Sequence, residues 1–312
     1  YDIWAMAQAP DDPDTIVVGT QPAHIFVSTD GGRSFAPAQG SFADACIFVG
    51  KPRVTQILFD PIDKDTLWAG VEIDGVHRST DRGRTWKKVG QGINSEDIHG
   101  VAVVKNGGKL VYATTNRGLN VSRDNGETFS FQELDSPWQY TRTIVPRADG
   151  DKTVFLTNGN GPPGSTGRLL RSRDYGATFE DAGLPGTLNS TPWTVATHPS
   201  DPKLIFVCSN LGQSFRSTDG GESWTKLARD RKICIKSGAE LIQLMHRESG
   251  CSQFVVEDGT ARVTVQYTCP GNGYGRTSIR RETGALVQLE SQGIHNGMPF
   301  QLTAEARRTG DC

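Results

Sequence analysis

Residues 3–10 alternate apolar and polar positions, and so do 15–21, 24–29 and 34–38 after them. That period of two predicts four short strands in succession. The same four-strand order recurs at 54–61, 66–73, 75–80 and 85–90, then begins again at 97, at 140 and at 192. The first two strands of a set are joined by tetrads such as Asp11-Asp12-Pro13-Asp14, Ile62-Asp63-Lys64-Asp65 and Ser200-Asp201-Pro202-Lys203. Asp and Pro in such tetrads are hairpin chemistry.

The link between the third and fourth strands is a sharper signal. The pattern Ser-x-Asp-x-Gly-x-Ser/Thr-Phe/Trp occupies 28–35, 79–86, 122–129, 172–179 and 217–224. Its aspartates, Asp30, Asp81, Asp124, Asp174 and Asp219, lie 51, 43, 50 and 45 residues apart. A repeat of that length is one four-stranded propeller blade. The motif has a mechanical reading: the carboxylate accepts N–H bonds within its own turn, and the Gly takes a positive φ. The closing aromatic is expected to plug the sheet edge. These residues therefore read as folding staples.

Residues 1–227 resemble the Asp-box (BNR) repeat superfamily, which includes sialidases, xyloglucanases, sortilin-type receptors and photosystem II assembly factors. The resemblance implies an all-β chain, a β-propeller over residues 1–229 with five Asp-box repeats. It also implies six or more blades, so either the ring closes with five or blades are missing at one or both ends. The motif is shared by enzymes and non-enzymes, so it carries no activity by itself.

Strand direction places the useful face. The start of each first strand and the end of each second strand share one mouth of the disc, with the Asp-box corners on the opposite face. Aligning the first strands on Pro10, Pro61 and Pro199 puts Trp4, Thr55, Ile98, Arg142 and Trp193 at the mouth. The second strands add Gln21, Glu72, Thr115, Gly159 and Asn210, with His99 and Tyr140 close by. The candidate ligand-binding set is thus Trp4, Gln21, Glu72, His99, Tyr140, Arg142, Trp193 and Asn210. Indoles stack on sugar faces, while amides and charges bond to hydroxyls. Trp4 and Trp193 as a channel cap, with Arg142 bridged to Glu72, is the structural alternative.

The expected function is a non-catalytic extracytoplasmic binding or assembly scaffold engaging a glycan or protein at this mouth. The alternative is a glycoside hydrolase-like enzyme with Glu72 as one of its carboxylates and Asp97 or Asp135 nearby. A sialidase is disfavoured because the Phe/Tyr-Arg-Ile-Pro signature is missing. His24, His77, His99 and His198 fall in different blades, so no metal site and no cofactor are expected.

Composition narrows the partners. A net charge of −2 over 312 residues offers no basic stripe for nucleic acid. No apolar run is long enough to span a bilayer, so no membrane-spanning segment is expected. The start at Tyr1 reads as a processed end or as a boundary within a longer protein.

After Leu227 the period stops. Residues 230–312 are expected to form a small antiparallel β domain with a short helix at 237–245, where Ser237 and Glu240 have capping-box spacing. Strands are expected at 254–257, 262–269, 278–282, 286–291 and 300–307. Cys234, Cys251, Cys269 and Cys312 suggest two disulfides in any of three pairings. They point to an oxidising compartment, periplasmic or secreted. This stretch resembles a family of small periplasmic proteins of unknown function, on Cys234, Cys251, Thr268-Cys269-Pro270-Gly271 and the closing 308–312. The resemblance implies an envelope location. The cluster Arg276, Arg280 and Arg281 reads as a solvated face, with a patch for an anionic ligand as the alternative.

Overall fold

The computed structural model describes residues 1–47, 50–227, 234–235, 238–246, 250–308 and 310. The chain divides into two compact units, Tyr1–Arg229 and Asp230–Cys312.

The first unit is five antiparallel sheets of four strands each. The first blade is β1 (Asp2–Ala9), β2 (Asp12–Gln21), β3 (Ile25–Ser28) and β4 (Ala36–Pro37). The second is β5 (Val54–Phe59), β6 (Leu67–Val71), β7 (Gly75–Ser79) and β8 (Lys87–Val89). The third is β9 (Ile98–Lys105), β10 (Lys109–Thr115), β11 (Gly118–Ser122) and β12 (Ser130–Gln132). The fourth is β13 (Tyr140–Pro146), β14 (Val154–Gly159), β15 (Gly167–Ser172) and β16 (Glu180–Asp181). The fifth is β17 (Pro192–His198), β18 (Asp201–Ser209), β19 (Ser214–Ser217) and β20 (Thr225–Lys226).

First strands pack in series: β1 on β5, β5 on β9, β9 on β13 and β13 on β17. The second strands of the inner blades, β6, β10 and β14, are almost entirely buried because a neighbouring sheet covers each face. The terminal blades keep one open face among the described residues. Met6 on β1 is 69% exposed and Phe206 on β18 is 40% exposed.

All five corners have one geometry. The leading Ser hydroxyl donates to the Asp carboxylate at 2.7 Å. The Ser or Thr four residues after the Asp donates its hydroxyl to the other carboxylate oxygen at 2.5–2.6 Å. The corner also clasps the neighbouring blade. Trp86, Phe129, Phe179 and Trp224 close into the core shared with the blade before them. Phe35 has no preceding blade among the described residues and is exposed, contrary to the expected edge plug.

These bonds hold the corner carboxylates low. The Thr128 hydroxyl, then its N–H and the Ser122 hydroxyl, bring Asp124 down to about 2. The Ser34 and Ser223 contacts hold Asp30 and Asp219 well below the usual range. Since the folded values lie below the unfolded one, this stabilisation is complete above pH about 4 and fades as pH falls toward 2. Thermal melts across that window should show a falling midpoint, with a shallower fall in Asp124→Asn; an identical slope in the variant would contradict the assignment.

The second unit is a five-stranded antiparallel sheet of β21 (Ser252–Asp258), β22 (Arg262–Cys269), β23 (Gly273–Thr283), β24 (Leu286–His295) and β25 (Met298–Arg307). The expected helix is a single 3-10 turn at Gly238–Leu241, and Ser237 of the expected cap lies outside the described residues. The turn stops there because Thr277 captures the Ile242 carbonyl at 2.6 Å, while the Ile242 side chain turns into the sheet core. Cys251 and Cys269 form a disulfide. Cys234 is also disulfide-bonded, and Cys312 lies outside the described residues.

Candidate functional site

Each first strand carries a register irregularity at its mouth end. The shifts fall between Ile3 and Ala5, Val54 and Gln56, Thr141 and Ile144, and Pro192 and Thr194. In the third blade Thr114 pairs with Gly100 but Thr115 pairs with Ile98, so His99 is the extra residue. A bulge re-aims a side chain that regular alternation would send into the sheet face. The bulged residues Trp4, Thr55, His99, Arg142, Thr143 and Trp193 all line one cavity of about 410 Å³. Arg53, Thr194 and Asn210 complete its wall.

The ladders put this cavity opposite the corners. Asp2 pairs with Gln21 at the mouth, whereas β3 and β4 meet at the far end of the blade, where the Asp-box turn joins them.

Two indole–guanidinium stacks frame the opening. The Arg142 guanidinium lies 3.6 Å from the Trp193 ring centroid, and Arg53 lies 4.3 Å from that of Trp4. Stacking holds both rings at the opening, where they line the cavity. Arg53 in turn forks onto both oxygens of Glu72, at 2.7 and 2.8 Å. The bridge to Glu72 thus comes from Arg53 and not from Arg142, which is drawn instead over Trp193 and lies 3.4 Å from the Tyr140 hydroxyl.

Behind the opening, His99 Nδ1 donates to the Thr141 carbonyl at 2.6 Å, and its Nε2 lies 3.4 Å from Asp97. The other Asp97 oxygen is buried with no hydrogen-bond partner among the described residues. The Tyr140 ring packs on His99 with centroids 5.1 Å apart. Burial raises the Tyr140 phenol above its ordinary value; Arg142 pulls it down, and the charges of Asp97 and Glu72 push it up. The Tyr140 hydroxyl thus lies within the electrostatic reach of Asp97 and Glu72.

Of the residues singled out from sequence, Trp4, His99, Arg142, Trp193 and Asn210 line the cavity. Glu72 and Tyr140 lie buried behind it. Gln21 instead ties the mouth loop down, donating to the Lys51 carbonyl at 2.8 Å. Ile98 is a correction: it is fully buried in the core, and the bulge gives its place to His99. Thr143 and Thr194 escaped notice because two adjacent residues on one face break the alternation, and nothing in the sequence marks the bulge. Among the described residues no cluster of three His, Cys, Asp or Glu side chains is placed to hold a metal ion.

The chain is 28% identical over 280 residues to a xyloglucanase from Paenibacillus sp, covering 72% of this chain and 26% of the relative. A GH74 xyloglucanase from Xanthomonas campestris superposes with a TM-score of 0.56 at 20% identity, covering 93% of this chain and 50% of that one. The fold is a β-propeller. A family model described as sortilin, neurotensin receptor 3, matches residues 119–266 of the propeller chain. An oligoxyloglucan-reducing end-specific xyloglucanase from Emericella nidulans is 25% identical over 198 residues, covering 58% of this chain and 23% of the relative. The propeller chain spans about a quarter of the length of these two curated relatives. No helix among the described residues is long and apolar enough to cross a membrane.

Proposed function

We propose that the chain is a glycoside-hydrolase-like propeller that binds a glycan of the xyloglucan class at the mouth framed by Trp4 and Trp193. The observation that carries this reading is the pair of ring–guanidinium stacks at one opening, Arg142 on Trp193 and Arg53 on Trp4. Flat indoles held open at a mouth suit the apolar faces of pyranose rings, and Asn210, Thr143 and Thr194 offer hydroxyl-bonding groups between them. The xyloglucanase relatives supply the substrate class. The disulfide in the second unit supports a site of action outside the cytoplasm.

Calorimetric titration with a xyloglucan oligosaccharide tests it. Trp193→Ala should weaken binding by about 2 kcal/mol, roughly thirtyfold in Kd. Unchanged affinity in the variant, or no binding by the parent chain, would remove the reading.

Hydrolysis at this mouth is the second reading, favoured by two carboxylates held directly behind its wall, Asp97 beside His99 and Glu72 beneath Arg53. Glycosidases work with a carboxylate pair. Both Glu72 oxygens are taken up by Arg53, so Asp97, with a buried oxygen left unpaired among the described residues, is the stronger candidate for chemistry. Release of new reducing ends, lost in Asp97→Asn while binding persists, would establish it; binding without release leaves the mouth a recognition site.

A further inference from the structure

At four joints the corner of one blade rests on the second strand of the blade before it. Space for a side chain at Gly83 is taken by Val17, at Gly126 by Trp68, at Gly176 by Tyr112 and at Gly221 by Phe155. A second contact differs from joint to joint. Arg78, paired across the ladder with Trp68, donates to the Asn125 carbonyl and forms an ion pair with Glu127 at 2.8 Å. Arg171, paired with Phe155, donates to the Gly221 carbonyl at 2.7 Å and reaches Glu222 at 3.3 Å. In both corners the acid directly follows the Gly. Where the receiving residue is Val27 or Val121, the residue after the incoming Gly is Arg84 or Ala177. An arginine on the receiving blade thus goes with an acid on the incoming corner.

The fifth blade carries the same receiving pair with nothing described upon it. Phe206 is paired with Arg216. Trp68, Tyr112 and Phe155 are no more than 1% exposed, whereas Phe206 is 40% exposed. Arg216 is exposed and has no carboxylate partner among the described residues. The first blade presents the opposite half of a joint, with Met6 and Phe35 exposed. Its corner, however, reads Gly32-Arg33, which would set one guanidinium against another. Like charges brought together in a contact of this kind act against it, where an acid would favour it.

We infer that the Phe206–Arg216 face is a docking surface for the Asp-box corner of a partner polypeptide carrying Glu or Asp directly after its Gly, and that Arg33 keeps a second copy of this chain off it. The docked corner would lay its Gly on the Phe206 ring and its acid on Arg216, as Gly126 and Glu127 do on Trp68 and Arg78.

The full chain can serve as its own probe once that charge is changed. Arg33→Glu gives the first blade the residue type that the third and fifth corners already tolerate at this position, Glu127 and Glu222. Sedimentation velocity on a concentration series should show the parent chain monomeric and Arg33→Glu self-associating. The Kd should be at least tenfold tighter than for Arg33→Glu/Arg216→Glu, in which like charges meet again. Arg216→Glu alone should also associate, through Arg33. Hydrogen–deuterium exchange should show added protection at 204–217 in both single variants, which also detects docking within one molecule, without a change in mass. Association of the parent chain through these faces would overturn the inference. So would equal behaviour of the single and double variants in both measurements.

Discussion

Trp68→Ala should lower the unfolding free energy of the propeller by about 4 kcal/mol. On a unit of this size that is a fall of about 10 °C in the melting temperature. The ring is fully buried between two blades, where it underlies Gly126 of the next corner. Its Nε1 donates to Asp60 at 2.9 Å, and Asp60 also binds Lys109 at 2.7 Å. Removing the ring opens a cavity at a joint and strips one partner from a buried carboxylate. Trp68→Phe keeps most of the packing and loses the hydrogen bond, so it should cost about 1–2 kcal/mol. Calorimetric melts of the two variants measure the difference. Equal losses would mean that the hydrogen bond dominates and that the ring does not support the next corner.

Gly221→Ala should cost about 3–4 kcal/mol, joining left-handed strain to overpacking. Gly221 has φ +91°, and a methyl there would stand 2.4 Å from the Phe155 ring. Phe155 is wholly buried and has no room to yield. Gly183 is the control: its φ is +73°, and a methyl there would meet nothing within 4 Å, so Gly183→Ala bears the backbone strain alone. Its cost should stay near 1 kcal/mol. Urea unfolding of both variants reads the gap directly, and a gap near zero would contradict the interlocked corner.

The blades were legible in the sequence because the corner motif repeats on a fixed spacing and each copy has its own local reason to turn. Strand polarity also dictates which strand ends share one face, opposite the corners. The pairings at the mouth were not legible. Glu72 takes Arg53 as its partner because both stand at the same end of one blade, a proximity created by the end of β6 meeting the start of β5. Ile98 and His99 exchange places through one bulged residue, which shifts the register without altering composition. The joint between blades was hidden for a different reason. The contact between Gly126 and Trp68 is long-range, and nothing in either local sequence names the other.

The location of the ligand is tested most directly by hydroxyl-radical footprinting of the chain with and without the oligosaccharide. Trp4 and Trp193 should become protected, while Phe35, exposed at the corner face, keeps its oxidation rate. Protection at Phe35 with Trp4 and Trp193 unchanged would put the ligand on the wrong side of the blades and end the case for this mouth.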